Sequence, residues 1–239
     1  MIEFKYIVQA LKYMVFPKRC YLCGRVIAPE EDECPVCEKE VRRIQLPVCY
    51  RCAAEKERCR CKKHRNRFVT AFVSPFYYTG KVKSSIYRLK FGKERDIAVS
   101  FGKEMASFVR KAYEGVKFDL ITYVPMTEKE YLARGFNQVE IMADEMSENL
   151  GIPCRKVLSK LYETKSQRSL KERYRSGNVL GVFDVCDRDA VKNKTILLCD
   201  DVLTTGATLT ECAKMLMIRG AREVMCVTAV VGIPKGKRR

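Results

Sequence analysis

Two groups of residues have the types and spacing for chemistry. The first is the acid pair Asp200 and Asp201, followed closely by the loop Thr204-Thr205-Gly206-Ala207-Thr208. An apolar run precedes the acids (Ile196, Leu197, Leu198, Cys199), and apolar residues recur at helical spacing beyond the loop (Leu209, Cys212, Ala213, Leu216, Met217). That pattern predicts a buried strand, a tight loop and a helix. Unpaired backbone amides in the loop and the positive end of the helix dipole favour a phosphate. Adjacent carboxylates favour vicinal hydroxyls or a sugar held by Mg²⁺. Together they describe a site for a phosphorylated ribose.

The second group is a set of eight thiols: Cys20, Cys23, Cys34, Cys37, Cys49, Cys52, Cys59 and Cys61. Three C-x-x-C knuckles and one C-x-C make four ligand pairs, enough for two tetrahedral Zn²⁺ ions. The simplest pairing puts the first four cysteines on one ion and the last four on the other. An interleaved pairing stays open, and His64, the sole histidine, is an alternative fourth ligand at the second site. In a chain with no secretory signal such a cluster points to metal rather than disulfides. Zinc here is structural, replacing a core that a segment of ~50 residues cannot build.

The elements that must position these groups follow in chain order. Residues 3–16 carry an amphipathic helical pattern that Pro17 stops. Residues 68–78 read as strands broken at Pro75, and helical periodicity covers 80–90 and 94–113. The first of these helices carries Lys81, Lys83, Arg88 and Lys90, either a basic hood over an anion or a solvated face. A strand at 118–125 leads into a loop, 127–135, that contains Lys129, Arg134 and Gly135, and then into a helix over 136–150. This second strand–loop–helix unit offers cations where the first offers carboxylates. Residues 155–175 are strongly basic and read as a mobile loop, 178–185 as a strand, and 223–232 as a buried strand. Repeated β–loop–α units predict an α/β fold with a mainly parallel, doubly wound sheet and ligands at the strands' C-terminal edge. The expected division is a helix over 1–17, a cysteine-rich module over 18–67, an α/β domain over 68–234 and a basic tail over 235–239.

Lys and Arg outnumber Asp and Glu by 46 to 29, a net charge of +17. Two Zn(Cys)₄ centres would lower this only to about +13. The balance predicts an anionic partner. No stretch approaches the ~20 apolar residues of a membrane span, and no signal peptide is evident, so the expectation is a cytoplasmic protein.

The run I-L-L-C-D-D-V-L-T-T-G-A-T resembles the phosphoribosyl-pyrophosphate (PRPP) signature of type I phosphoribosyltransferases. With V-P-M-T-E-K-E-Y-L-A-R-G-F-N-Q at 124–138 and the eight thiols, the chain resembles the ComF-type competence family, in which a double zinc ribbon precedes a phosphoribosyltransferase domain. The resemblance implies that Asp200 and Asp201 bind the ribose hydroxyls, with Mg²⁺ bridging pyrophosphate and sugar. It implies that Thr204, Thr205, Gly206, Ala207 and Thr208 wrap the 5′-phosphate. Arg134 and Gly135 would lie near the pyrophosphate, and residues 165–175 would form a loop over the site. Asp200, Asp201 and Arg134 are then the candidate catalytic residues. Thr204 departs from purine-salvage members, which carry an Asp there; an unperturbed hydroxyl is no general base at neutral pH. Two functions follow: a Mg²⁺-dependent transferase of unknown acceptor, or a non-catalytic PRPP sensor that handles single-stranded DNA with the competence machinery. Basic clusters at 51–67 and 155–175 suit a nucleic-acid backbone. Tyr50, Tyr77, Tyr78, Tyr162 and Tyr174 are candidate stacking platforms or packing residues.

Overall fold

The computed structural model describes Tyr13, residues 16–59, Cys61, residues 66–161 and residues 182–233. Most of the expected N-terminal helix, His64, Tyr162, Tyr174, the segment 165–175 and the tail lie outside the described residues.

A short helix, α1 (Pro35–Glu40), sits in the cysteine module. It is followed by strands β1 (Ala71–Val73) and β2 (Phe76–Tyr77), then helices α2 (Gly80–Phe91) and α3 (Asp96–Ala112). Next come β3 (Leu120–Tyr123), α4 (Glu128–Arg134), α5 (Gln138–Leu150), β4 (Leu158–Lys160) and β5 (Phe183–Val185). The chain then forms β6 (Thr195–Leu203), α6 (Ala207–Ile218) and β7 (Glu223–Val231). The main sheet has the order β1-β7-β6-β3, with β2 also on β7, and every pairing in it is parallel. Its central strands β6 and β7 are almost continuously buried, as a sheet covered on both faces requires.

The order of connection fixes where a ligand can sit. From β1 and β2 the chain moves through α2 and α3 to β3. It then moves on through α5 to Cys154, which bridges in parallel to Ile121 of β3. From β6 it moves the opposite way, through α6 to β7. Right-handed crossovers therefore place α3 and α5 on one face and α6 on the other. α3 packs against α5, while α6 packs on β5, β6 and β7. The direction reverses between β3 and β6, and that switch point is where doubly wound sheets open a crevice.

Two local expectations are corrected. Residues 127–135 are not a loop: α4 fills them, started by a capping box in which Thr127 and Glu130 bond each other's backbone amides. The T-x-x-E signal stands in the sequence, but seven residues carry no apolar stripe to reveal a helix. The strand β6 also continues through the acids rather than ending before them. Backbone pairing to β7 persists at Asp200–Thr228, Val202–Val230 and Leu203–Val231, because carboxylates interrupt apolarity but not the ladder.

One hydrophobic core runs from the cysteine module into the sheet. The module docks by backbone bonds, Ile44 N–H to Pro75 O at 2.8 Å and Phe72 N–H to Tyr50 O at 2.7 Å. The edge of Tyr21 meets Phe101 of α3 at 5.3 Å. Arg43 bridges Glu33 of the module and Glu104 of α3 at 2.5 and 2.6 Å.

Where α3 crosses α5, a Cβ on Gly102 would lie 2.7 Å from the Cβ of Glu145 and 2.9 Å from the carbonyl of Met142. Gly102→Val is therefore expected to force the helices apart and destabilise the fold by about 1–3 kcal/mol. Thermal unfolding measures this; an unchanged Tm would contradict the packing.

Candidate functional site

The acids of β6 lie at the switch point, but they face different surroundings. Asp201 is 5% exposed. Its Oδ1 accepts from Lys90 Nζ of α2 at 2.9 Å, and its Oδ2 lies 2.8 Å from the same ammonium. Gln138, the first residue of α5, donates its Nε2–H to Oδ2 at 2.6 Å. Arg134, the last residue of α4, donates to Gln138 Oε1 at 2.5 Å. Asp200 is half-buried; its Oδ1 accepts the backbone N–H of Asp201 at 2.8 Å, and no side chain bonds it among the described residues. Burial, then the charge of Asp201, pushes the Asp200 carboxyl up to about 7, with Lys90 and Lys160 opposing.

Each partner has a local reason to be where it is. Gly135 takes a left-handed φ of 84°, ending α4 directly after Arg134. Asn137 then caps α5 by accepting from Val139 N–H, which places Gln138 in the first turn facing β6. Lys160 ends β4 and bonds both oxygens of Glu130 at 3.0 and 2.9 Å, so β4 is tied to α4. Leu161 N–H bonds Val182 O at 2.8 Å, beyond the end of the antiparallel β4–β5 pair.

The loop after β6 has the geometry of an anion cradle. Thr204, Thr205, Ala207 and Thr208 are exposed. Gly206 stands at the N-cap of α6 with φ 75°, and no side chain caps the helix. Ala207 N–H donates to Thr205 Oγ1 at 3.3 Å, and the remaining first-turn amides are left to a ligand or to water. A left-handed N-cap is open to glycine and strained for other residues. The structure brings this loop, Asp200, Asp201 and Arg134 to one edge of the sheet. Gly135 acts there as a helix terminator.

Lys90 and Gln138 were not singled out as site residues by sequence. Lys90 stood among four cations with no cue to separate it, and Gln138 lay in the quoted 124–138 run. The four cations of α2 have separate roles rather than forming one hood. Lys81 pairs with Glu40 at 2.7 Å, and Arg88 bonds the Tyr21 carbonyl at 2.5 Å. Lys83 is exposed, and Lys90 alone reaches the acids.

The cysteines resolve into two groups, Cys20/Cys23/Cys34/Cys37 and Cys49/Cys52/Cys59/Cys61, with all sulfurs of a group within 4.8 Å of one another. The sulfur pairs Cys23–Cys34, Cys49–Cys61 and Cys52–Cys59 stand 3.6, 3.7 and 3.7 Å apart. A tetrahedron with Zn–S of about 2.3 Å has edges of about 3.8 Å. The donor sets therefore fit Zn²⁺, in sequential rather than interleaved pairing, and Cys61 supplies the fourth sulfur of the second group. Burial raises the thiols of Cys20 and Cys37 and pushes Cys61 up to about 11, whereas at Cys23 and Cys49 burial is outweighed by hydrogen bonds from backbone amides and neighbouring cysteines, which lower them to about 7. Four sulfurs packed this closely suit a cation.

Of the expected stacking tyrosines that are described, Tyr77 and Tyr78 pack, and Tyr50 packs on one side while staying 45% exposed. Tyr77 is buried and its hydroxyl accepts from Glu55 N–H; Tyr78 is half-buried; Tyr50 donates to Ala112 O at 2.8 Å and stacks on Tyr113. The exposed aromatic pair is Tyr87 and Phe91 on α2, with ring centroids 4.8 Å apart. Among the described residues no helix is long and apolar enough to cross a membrane.

Residues 11–64 match a double zinc ribbon domain model, and residues 135–239 match a phosphoribosyl transferase domain model. The chain is similar to the DNA utilization protein YhgH of Salmonella typhimurium, 26% identical over 86% of each chain. It is similar to the competence protein ComFC of Bacillus subtilis, 29% identical over 82% of each chain. It is similar also to competence protein F of Haemophilus influenzae, 26% identical over 87% of this chain and 95% of the other.

Two outcomes follow from the site. The raised Asp200 carboxyl costs stability that is absent below the unfolded Asp value and fully present above about 7. Asp200→Asn is therefore expected to raise the Tm of the ligand-free protein at pH 8 and to leave it unchanged at pH 4; no gain at pH 8 would contradict the burial. Metal analysis is expected to return two zinc equivalents per chain, falling toward one in Cys61→Ser together with a lower Tm.

Proposed function

We propose that this chain, a member of the ComF-type competence family by its double zinc ribbon and phosphoribosyltransferase domain, binds PRPP at the β3/β6 switch point and serves in DNA uptake. The observation that carries the reading is the continuity of β6, the left-handed Gly206 and the uncapped start of α6. These bring a carboxylate pair on a strand close to the open start of a helix within one chain segment, which supports the reading. The 5′-phosphate is assigned to the amides of residues 205–208, the ribose to the acids, and the pyrophosphate to the side where Lys90 and Arg134 stand. The names of the relatives support the role in DNA handling.

Mg²⁺ fits the donors present, since Asp200 is a hard oxygen ligand with no side-chain partner among the described residues, and Mg²⁺ is commonly held by one or two carboxylates and substrate phosphates. When bound it would neutralise charge on the leaving pyrophosphate. The chain's own residues bind and orient. The loop amides hold the phosphate end, Asp200 faces the sugar, and the cations of α2 and α4 draw off negative charge as the C1′–oxygen bond breaks. Thr204 is exposed with no carboxylate in its place, so this reading does not extend to purine salvage.

A second role, contact with single-stranded DNA, is favoured by the Tyr87–Phe91 pair, 63% and 66% exposed on the helix that carries Lys83 and Lys90. Exposed aromatics among cations suit base stacking with backbone neutralisation.

Mg²⁺–PRPP is expected to raise the Tm of the wild-type chain, and Gly206→Val to abolish the shift; absence of a shift in wild type would defeat the PRPP reading. A pyrophosphate-release assay with bases, amines and DNA as acceptors then separates transferase from sensor. In fluorescence anisotropy with single-stranded oligonucleotide, Tyr87→Ala/Phe91→Ala is expected to weaken binding about tenfold. Affinity is expected to fall steeply with salt, and a flat response would exclude phosphate contact.

A further inference from the structure

We propose that Lys90 is a specificity-determining residue, an internal counter-ion that holds the acid pair until the right ligand arrives. In the free protein its ammonium occupies Asp201. A ligand that brings pyrophosphate takes the ammonium over and so opens Asp201 to the ribose. The inference rests on the PRPP reading, in which both acids receive the ribose. It makes Lys90 the group that separates PRPP from ribose phosphates that carry no pyrophosphate.

One of the two ribose ligands is already occupied by protein. Lys90 Nζ lies 2.9 Å from Asp201 Oδ1 and 2.8 Å from Oδ2, and Gln138 Nε2 donates to Oδ2 at 2.6 Å. In this state Asp201 is 5% exposed. A sugar hydroxyl donates to a carboxylate through the same lone pairs that the ammonium and the amide now fill. Sugar and protein donors therefore compete for Asp201, and one of the present partners must leave. Gln138 is the harder to move, being buried, with its Oε1 held by Arg134. Lys90 keeps 25% side-chain exposure and is the partner free to withdraw.

The helix lets the charge move while the backbone stays. Ser85 and Arg88 of α2 both donate to the Tyr21 carbonyl, so the helix remains docked on the cysteine module. Beyond that anchor, lysine carries its ammonium on a flexible four-carbon stem. Withdrawing the ammonium breaks an ion pair to a buried carboxylate, which is costly unless both charges find new partners. Sugar hydroxyls supply donors for Asp201, and pyrophosphate supplies anionic oxygens for Lys90. Ribose 5-phosphate supplies only the first, because its phosphate is assigned to the loop at the start of α6. The ion pair thus penalises a ribose phosphate that brings no second anion.

Calorimetric titration of the full chain with ribose 5-phosphate and with inorganic pyrophosphate, no divalent cation added, tests this. Two anions bound side by side repel, so mere coexistence weakens each. The exchange predicts the opposite sign: saturating pyrophosphate is expected to tighten ribose 5-phosphate about fivefold, with an equal reciprocal effect. Lys90→Met is expected to weaken pyrophosphate about tenfold through loss of a charged partner. The same variant is expected to tighten ribose 5-phosphate about tenfold, because the competing ammonium is gone, and to abolish the coupling. A purely structural lysine would weaken both probes. Unchanged or weaker ribose 5-phosphate binding in Lys90→Met overturns the exchange, as does absence of positive coupling in the wild type. The coupling is read on the wild type, so the proposal stays testable where Lys90→Met does not fold. If Mg²⁺–PRPP binds the wild type while the coupling is absent, the exchange fails and the PRPP site stands. If the wild type binds neither Mg²⁺–PRPP nor ribose 5-phosphate, both fall.

Discussion

A carboxylate as buried as Asp201 is tolerated only when its charge is matched and its lone pairs are filled. Lys90 and Gln138 do both, at 2.8–2.9 Å and 2.6 Å. The requirement ties three elements together at one point: α2 through Lys90, α5 through Gln138 and β6 through the acid itself. α4 joins them because Arg134 bonds Gln138. The crevice at the sheet's switch point is therefore not merely a gap left by topology. Its walls are drawn to a common centre by Asp201 and its partners.

That constraint reaches the cysteine module through α2. Ser85 and Arg88, one and two turns from the helix start, both donate to the carbonyl of Tyr21 at 2.5 Å, and Tyr21 lies inside the first C-x-x-C knuckle. Two residues beyond Arg88, Lys90 reaches Asp201. One helix thus rests its later turns on a cysteine knuckle and delivers a cation to Asp201 from its last turn. Zinc would act on the site mechanically, by holding the knuckle that holds the helix. The coordinate sets are closed by four cysteines each, so no open position suits catalysis by the metal.

The acid pair shows how a strand divides two identical side chains. Adjacent residues of β6 project to opposite sides, so Asp201 meets Lys90 and Gln138 while Asp200 is half-buried and bonded by a backbone amide among the described residues. Burial raises the cost of ionising Asp200, and the nearby charge of Asp201 raises it further, which pushes its carboxyl up to about 7 in the free protein. A bound cation or a set of hydroxyl donors relieves that cost. The free site is therefore poised toward such a ligand.

Much of this was legible in sequence because the signals were local. The thiol knuckles, the apolar run into Asp200 and Asp201, and the glycine at 206 each depend on a few consecutive residues. The alternation of strand and helix likewise specified a parallel α/β sheet. The helix α4 was missed because its cue was a capping box without an apolar face. Lys90 and Gln138 were missed for a different reason: they lie 111 and 63 residues from Asp201, and nothing nearby in sequence marks either. The exposed Tyr87–Phe91 pair likewise could not be told from the tyrosines that pack, since burial is a property of neighbours. Residue types and spacing determined which chemistry the chain can hold, because knuckles, cradles and acid pairs are short-range objects. Which acid is buried against Lys90 and Gln138, and which cations stand beside it, was decided only by the tertiary structure, because charges from distant elements had to meet before their surroundings could differ.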